Sequence, residues 1–168
     1  MMKMANSPGT SSKGMPNVVA GLAAKYGLDA DLVQAICEVE SSHNPLAIRF
    51  EPHFKLSYFP REHASRLGCS YETELNAQAT SWGLMQVMGC VARELGFDGW
   101  MPELCQDAVG VEYGCKLLQR LYRRYDEEAS IIAAYNAGSA RKDKSGMYVN
   151  QNYVNKVHQV LTRLRALK

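Results

Sequence analysis

Apolar residues recur at intervals of three and four along most of this 168-residue chain, and the pattern is clearest in the segment that ends at Glu40. Leu32, Val33, Ile36 and Val39 share one helical face, so this segment should form a rigid and partly buried helix. The next residues, Ser-Ser-His-Asn-Pro, favour a turn, because a residue before proline avoids the α conformation and Ser and Asn bond to their own backbone. We therefore predict that the helix ends at or just after Glu40.

Glu40 is the first candidate for chemistry, because a carboxylate at the end of a buried helix can be half buried and still face a cleft. Burial disfavours the charged form of a carboxyl, and a carboxyl that stays protonated near neutral pH can act as a general acid. Most glutamates at helix ends are solvated surface residues, however. Glu40 therefore needs support from other parts of the chain.

The rest of the chain is predicted to be mainly α-helical. Pro16 suits a helix start and Gly27 a helix end, which predicts a first helix between them. The apolar pattern predicts further helices at 61–67, 71–78, 129–137 and 153–164, a long helix that Asp107 caps and that runs to Tyr122, and one helical turn at 101–105. Residues 82–88 favour a buried turn or the start of a helix, and a small β excursion is expected only near 48–58.

The chain length suits one domain, since 168 residues can bury one core but are few for two. We expect residues 16–168 to form this domain. Residues 1–15 are rich in Ser, Gly, Lys and Met without periodicity and are expected to be a mobile leader. No segment has the apolar run of an export signal or a membrane span, so we expect synthesis in the cytoplasm and no membrane insertion.

Charge and cysteine content argue against several classes of function. The formal charge of +2 and the pI near 8.3 are only mildly basic, and the basic clusters are short, so no nucleic-acid partner is expected. The five cysteines are odd in number and lack a CxxC pair, which favours free buried thiols and leaves room for one or two bridges. The histidines lack tight ligand spacing, so no metal or cofactor is expected.

Three separated stretches each combine a buried helical pattern with polar residues at its end. They are EVESSHNP at 38–45, TSWGLMQVM at 80–88 and AAYNAG at 133–138, and they are followed by the Tyr-Val pair of NQNYVNKV at 150–157. Together they resemble the soluble-type lytic transglycosylase (SLT) family, which is related to goose-type lysozymes. The resemblance covers most of the chain and implies a mainly α, lysozyme-like single domain.

The resemblance implies an enzyme that degrades peptidoglycan without metal or cofactor, by cleaving the β-1,4 bond between N-acetylmuramic acid (MurNAc) and N-acetylglucosamine (GlcNAc). The family's catalytic glutamate falls on Glu40. Gln86 and Tyr135 would line the sugar subsites, with Tyr135 close enough to hold or tune the glutamate, and Met85 and Asn136 would shape the floor. Protonated Glu40 would act as the acid and then, as a carboxylate, deprotonate the sugar's own 6-hydroxyl, which produces a 1,6-anhydro end.

The segment that follows Pro45, just after the turn beyond Glu40, departs from the pattern of the soluble family. Where close members carry a serine, this chain has Arg49 within IRFEPH at 48–53, a wording similar to phage-encoded muramidases and transglycosylases. Glu51 then becomes a candidate second carboxylate at the substrate, unless it only pairs with Arg49 or Arg61. If water attacks instead of the 6-hydroxyl, the same site is a hydrolytic muramidase, that is, a lysozyme.

A phage origin would explain how the protein reaches the cell wall or periplasm without a signal. A virion would carry it, with other virion or secretion-machine proteins as partners, or a holin would release it as an endolysin.

Local structural roles are the alternative for each candidate residue. Gln86 would then cap a buried backbone group, Tyr135 would be a core tyrosine bonded to a carbonyl, and Met85 would be a core residue. For the whole domain, the alternatives are a lysozyme-like module that binds glycan without cutting it, and a structural part of a virion or secretion machine.

Overall fold

The computed structural model describes residues 14–167, which form eight α-helices and one small sheet. The helices are α1 (Met15–Tyr26), α2 (Ala30–Ser41), α3 (Pro60–Leu67), α4 (Tyr71–Gln78), α5 (Gly89–Glu94), α6 (Asp107–Tyr122), α7 (Glu128–Ala137) and α8 (Gln151–Arg165). A 3₁₀ turn at Met101–Cys105 precedes α6. The mainly α class predicted from the sequence is confirmed.

The boundaries of α2 follow from its capping residues. Asp29 accepts a hydrogen bond from the Asp31 N–H at 2.9 Å, which satisfies one of the free donors at the helix start. At the other end Ser42 adopts a left-handed conformation with φ of 52°, and its N–H bonds back to the carbonyls of Cys37 and Glu38. The helix ends at Ser41, so the predicted end at or just after Glu40 is confirmed.

The sheet is antiparallel, with strand order β1 (Ile48–Phe50), β2 (Thr80–Trp82) and β3 (Val87–Met88). The β excursion predicted near 48–58 is confirmed by β1. The helix considered for residues 82–88 is wrong, because Trp82 pairs with Val87 across a tight turn. Gly83 makes this turn at φ of 71°, and a Cβ there would lie 2.2 Å from the Leu104 carbonyl oxygen. The helix α5 begins only at Gly89.

The core lies between α2, α6, α7 and α8. The apolar faces of α2 and α6 are buried, and α7 contributes buried side chains in five consecutive positions, Ile131 to Tyr135. The helix α8 packs on α2 through Val154, Val157 and Leu161, which are all buried. As a result, the ends of α2 and α7 and the start of α8 meet in one region.

Three of the five cysteines are core residues rather than reactive groups. All five are free, and Cys37, Cys90 and Cys115 are buried. Burial raises the pKa of each of these three thiols to about 12, so they stay protonated at neutral pH.

The leader predicted for residues 1–15 lies outside the described residues except for Gly14 and Met15, and Met15 is already the first residue of α1. Within residues 14–167, no helix has both the length and the apolar character needed to cross a membrane.

Candidate active site

A cavity of about 600 Å³ opens between the end of α2, the sheet and helices α5 to α7. One group of lining residues surrounds the end of α2 and includes Glu40, Arg49, Ser81, Gln86, Tyr135 and Asn136. A second group comes from α5, α6 and the residue pair after α6. We call it the arginine wall, and it consists of Val91, Glu94, Leu117, Arg120, Leu121 and Arg124.

Glu40 has the environment of a general acid. Its carboxylate lines the cavity and accepts a hydrogen bond from the Tyr153 hydroxyl, with 2.6 Å between that oxygen and Oε1. Burial raises the pKa of Glu40, whereas the hydrogen bond from Tyr153 and the positive charge of Arg49 oppose that rise without cancelling it. A carboxyl with a raised pKa that still reaches a cavity can hold a proton and deliver it to a ligand.

Tyr153, and not Tyr135, is the tyrosine that holds the glutamate. The Tyr135 hydroxyl donates to the Met85 carbonyl oxygen at 2.8 Å, so the expectation that Tyr135 holds Glu40 needs this correction. Burial and the nearby Glu40 charge raise the pKa of Tyr135 well above its ordinary value, so it remains a neutral donor. The Tyr-Val pair of α8 was a signal for Tyr153, but a separation of 113 residues hid its contact with Glu40.

Gln86 uses its side chain to hold the backbone beneath the cavity. Its amide nitrogen donates to the carbonyls of Ala47 and Gly83, both at 2.9 Å, and its amide oxygen accepts from the Ser81 hydroxyl at 3.0 Å. These contacts match the alternative in which Gln86 caps buried backbone groups. Gln86 also lines the cavity, so its contact with a sugar stays a prediction.

Met85 is buried beneath the cavity surface, whereas Asn136 is exposed on it. Met85 is fully buried at 0% exposure and is absent from the described lining, so the structure does not support a direct contact between its side chain and a substrate. It supports the floor from below through its carbonyl, which accepts from Tyr135. Asn136 is exposed at the end of α7, lines the cavity and accepts a hydrogen bond from Asn150 at 3.0 Å.

Arg49 and Glu51 form an ion pair beside Glu40. Arg49 lies opposite Ser81 in the sheet, and its Nε is 2.6 Å from Glu51 Oε1. Arg49 lines the cavity, whereas Glu51 is not among the residues described as lining it. Glu51 therefore pairs with Arg49 as one alternative anticipated, while Arg61 lies over the ring of Tyr71 instead. Its direct contact with substrate stays a prediction.

Glu94 is the carboxylate in the cavity that sequence reasoning missed. Its Oε2 lies 3.0 Å from Arg120 Nη1, so the charge of Arg120 offsets the charge of Glu94. It has no motif around it, and it reaches the cavity because α5 packs on α4 and on strands β2 and β3. Within residues 14–167, no group of three or more His, Cys, Asp and Glu side chains is placed to hold a metal ion.

A comparison with protein families matches residues 17–157 to a family model described as the Transglycosylase SLT domain. The matched range covers most of the chain and includes all three stretches that carry the resemblance. It also includes Tyr153, the partner of Glu40, and the whole of the arginine wall.

Proposed function

Because the chain belongs to the SLT transglycosylase domain family, we propose that it cleaves the β-1,4 bond between MurNAc and GlcNAc with Glu40 as the single acid and base. The product is a 1,6-anhydroMurNAc end. The family acts on peptidoglycan as lytic transglycosylases or lysozyme-like enzymes, so the resemblance and the lysozyme-like fold class inferred from the sequence are confirmed.

In the proposed reaction, protonated Glu40 donates its proton to the glycosidic oxygen as the bond from MurNAc C1 to that oxygen breaks. Since Oε1 accepts from Tyr153, we place the transferred proton on Oε2. The Glu40 carboxylate then removes the proton of the MurNAc 6-hydroxyl, whose oxygen bonds to the oxocarbenium-like C1. Attack within one bound sugar avoids the entropic cost of ordering a water molecule.

The observation that carries the proposal is the raised pKa of Glu40 at the surface of the cavity. A second observation favours the non-hydrolytic route. Among the described lining residues, the only carboxylates are Glu40 and Glu94, and Glu94 is paired with Arg120. An enzyme that activates water usually needs a second free carboxylate near the bond, and the lining residues within the described part of the chain include none.

The test is a digestion of purified sacculi, followed by mass analysis of the released muropeptides. We expect products lighter by one water than their hydrolytic counterparts, and we expect Glu40→Gln to lower the rate by about 10²–10⁴-fold. Glu38→Gln is the matched control, since Glu38 lies on the same helix but pairs with Arg163 and is outside the described lining.

Products with reducing ends would instead identify a hydrolytic muramidase. If the wild-type protein releases nothing, the enzyme proposal fails, and a glycan-binding or structural role takes its place.

We propose that the protein acts at the cell wall or periplasm, because peptidoglycan lies there. The phage origin, the virion partners and release through a holin stay predictions from the RFEPH wording.

A further inference from the structure

We infer that the arginine wall binds the stem peptide of peptidoglycan, with Arg124 taking one of the peptide's free carboxylates. The inference rests on the proposed function, since it assumes that a peptidoglycan strand occupies the cavity next to Glu40. It adds a second recognition element, directed at the peptide rather than at the sugars.

The first observation is an arginine in the cavity without a carboxylate partner. Arg120 lies in the last turn of α6 and Arg124 lies two residues beyond its end, and both line the cavity. Arg120 is neutralised by Glu94. Arg124 has no ion pair with any residue of the described chain, and its guanidinium lies 5.3 Å from the centre of the neighbouring Tyr125 ring. Its charge is therefore available to a ligand.

The second observation is the mixture of side chains around that charge. Val91, Leu117 and Leu121 line the cavity as well and supply apolar surface to the arginine wall. The repeating sugars of the glycan carry no net charge once the lactyl group is amidated, so they do not account for a free arginine. A stem peptide combines small apolar alanines with free carboxylates, and arginine binds carboxylates with well-directed paired hydrogen bonds.

The third observation is that one cavity contains both Glu40 and the arginine wall. The peptide leaves the glycan from the lactyl group of MurNAc, which is the sugar whose C1 bond is cleaved in the proposed reaction. On a peptide-bearing strand, a peptide therefore starts at the sugar next to Glu40. The arginine wall lines the same cavity, and with Arg120, Arg124 and Glu94 it carries one more positive than negative charge.

The test compares two substrates for the 168-residue protein. One is sacculi free of teichoic acid, so that peptide carboxylates rather than wall phosphates are the anions. The other is glycan strands from the same sacculi after an amidase has removed the stem peptides, with the carboxylate freed on each lactyl group converted to its methyl amide so that the strands carry no charge. For Arg124→Gln, we expect the preference for peptide-bearing strands, measured as a ratio of kcat/KM values, to fall about three- to tenfold.

Arg123→Gln is the matched control, because it removes the same charge one residue away. Arg123 contacts Gln119 at 3.3 Å and is outside the described lining, so the substrate preference should not change. Glu94→Gln should increase the preference, since it frees Arg120. The effect of Arg124→Gln should weaken as salt is raised.

Two results would overturn the inference: an unchanged preference in Arg124→Gln, or an equal change in Arg123→Gln. Failure of the proposed function looks different, because the wild-type protein would then cut neither substrate. In that case, the binding of the Glu40→Gln protein to sacculi and to stripped strands decides. If the binding depends on the peptide and is lost in Glu40→Gln/Arg124→Gln, the arginine wall binds the stem peptide. If the binding does not depend on the peptide, the inference is rejected.

Discussion

Glu40 owes its chemistry to neighbours that come from different elements. The Tyr153 hydroxyl of α8 donates to one carboxylate oxygen of Glu40, and Arg49 of β1 supplies a positive charge. Tyr135 of α7 lines the same cavity, but its hydroxyl donates to Met85 and not to Glu40. Burial raises the pKa of Glu40, and Tyr153 and Arg49 limit that rise. The protonation state of this one carboxyl is therefore a balance that single substitutions should shift in known directions.

Tyr153→Phe removes the hydrogen bond that stabilises the charged form of Glu40. The pKa of Glu40 should rise further, by about one unit. Since the proposed reaction needs protonated Glu40, activity is lost as pH rises through that pKa, and the high-pH limb of the kcat/KM profile should move to higher pH. The maximal rate should fall, because the carboxyl is no longer oriented.

Tyr148→Phe is the control for Tyr153→Phe. It also removes a phenol hydroxyl that bonds to a glutamate, but the partner is Glu127. Its pH profile should match that of the wild-type protein. An unshifted profile for Tyr153→Phe would show that the hydroxyl does not stabilise the Glu40 carboxylate.

Arg49 and Glu51 should shift the same pH profile in opposite directions. Arg49→Ala removes a positive charge near Glu40, so the high-pH limb should move up. Glu51→Gln removes the negative charge that offsets Arg49, so the limb should move down. Each shift should be about 0.2–0.5 pH unit, because the Arg49 side chain is 73% exposed and solvent screens its charge. If the limb moves in the same direction in both variants, Glu51 does not offset the effect of Arg49 on Glu40.

At the scale of elements, close packing of α6 against the β2–β3 turn sets the floor of the site. A Cβ on Gly114 of α6 would lie 2.1 Å from the Met85 sulfur and 2.9 Å from its Cβ. Met85 in turn presents its carbonyl to Tyr135. The floor therefore depends on a glycine in the middle of a helix, where alanine would otherwise be favoured.

Gly114→Ala should destabilise the protein by about 1–3 kcal/mol, because Met85 must shift to admit the methyl group. Gly21→Ala is a matched control in the interior of α1, where a new Cβ meets nothing within 4 Å. That change should stabilise the protein by about 0.5–1 kcal/mol through helix propensity alone. Urea unfolding measures both, and equal stability of the two variants would argue against the close contact.

At the scale of the whole molecule, two carboxyls with opposite pKa shifts make stability depend on pH. Glu74 of α4 is buried against Arg93 of α5, with 2.8 Å between Arg93 Nε and Glu74 Oε1. Burial acts to raise the pKa of Glu74, but hydrogen bonds from Arg93 and Gln78 outweigh it and lower the pKa. Glu40 is shifted in the other direction by burial.

The directions of these two pKa shifts determine how the stability of the protein changes with pH. A lowered folded-state pKa means that the stability from Glu74 is present above its unfolded pKa, about 4.3, and is lost as pH falls through the lower folded value. A raised folded-state pKa means that Glu40 contributes most below its unfolded pKa and costs stability as pH rises through the higher folded value. Glu40→Gln should therefore increase stability at neutral pH, and this gain should shrink as the pH is lowered towards 4.

Arg93→Met should cost about 3–5 kcal/mol, because it leaves Glu74 buried without its partner. Arg93 also donates to the carbonyls of Phe97 and Gly99, which lose their hydrogen bonds as well. The double change Glu74→Leu/Arg93→Met should recover part of the loss and should reduce the acid sensitivity, which urea unfolding between about pH 3 and 7 would measure. No recovery in the double variant would mean that the carbonyl contacts carry most of the stability.

Local signals account for the helices that the sequence predicted. Gly27 and Gly138 end their helices in left-handed conformations, and the apolar spacing of α6 and α8 matches their buried faces. The strands β2 and β3 are only three and two residues long, too short to show an alternating pattern. Asp107 was expected to cap α6 but is its first residue, a difference of one position at a helix end.

By itself, the sequence determined the family motifs, the mainly α class and the position of Glu40 at the end of a buried helix, because spacing and turn chemistry are local properties. Only the tertiary structure decided that Tyr153 rather than Tyr135 donates to Glu40 and that the Gln86 side-chain amide donates to backbone carbonyls. It also decided that Glu51 pairs with Arg49 and that an arginine wall shares the cavity. These contacts join residues far apart in the chain or depend on side-chain direction, and both are set by how the helices pack.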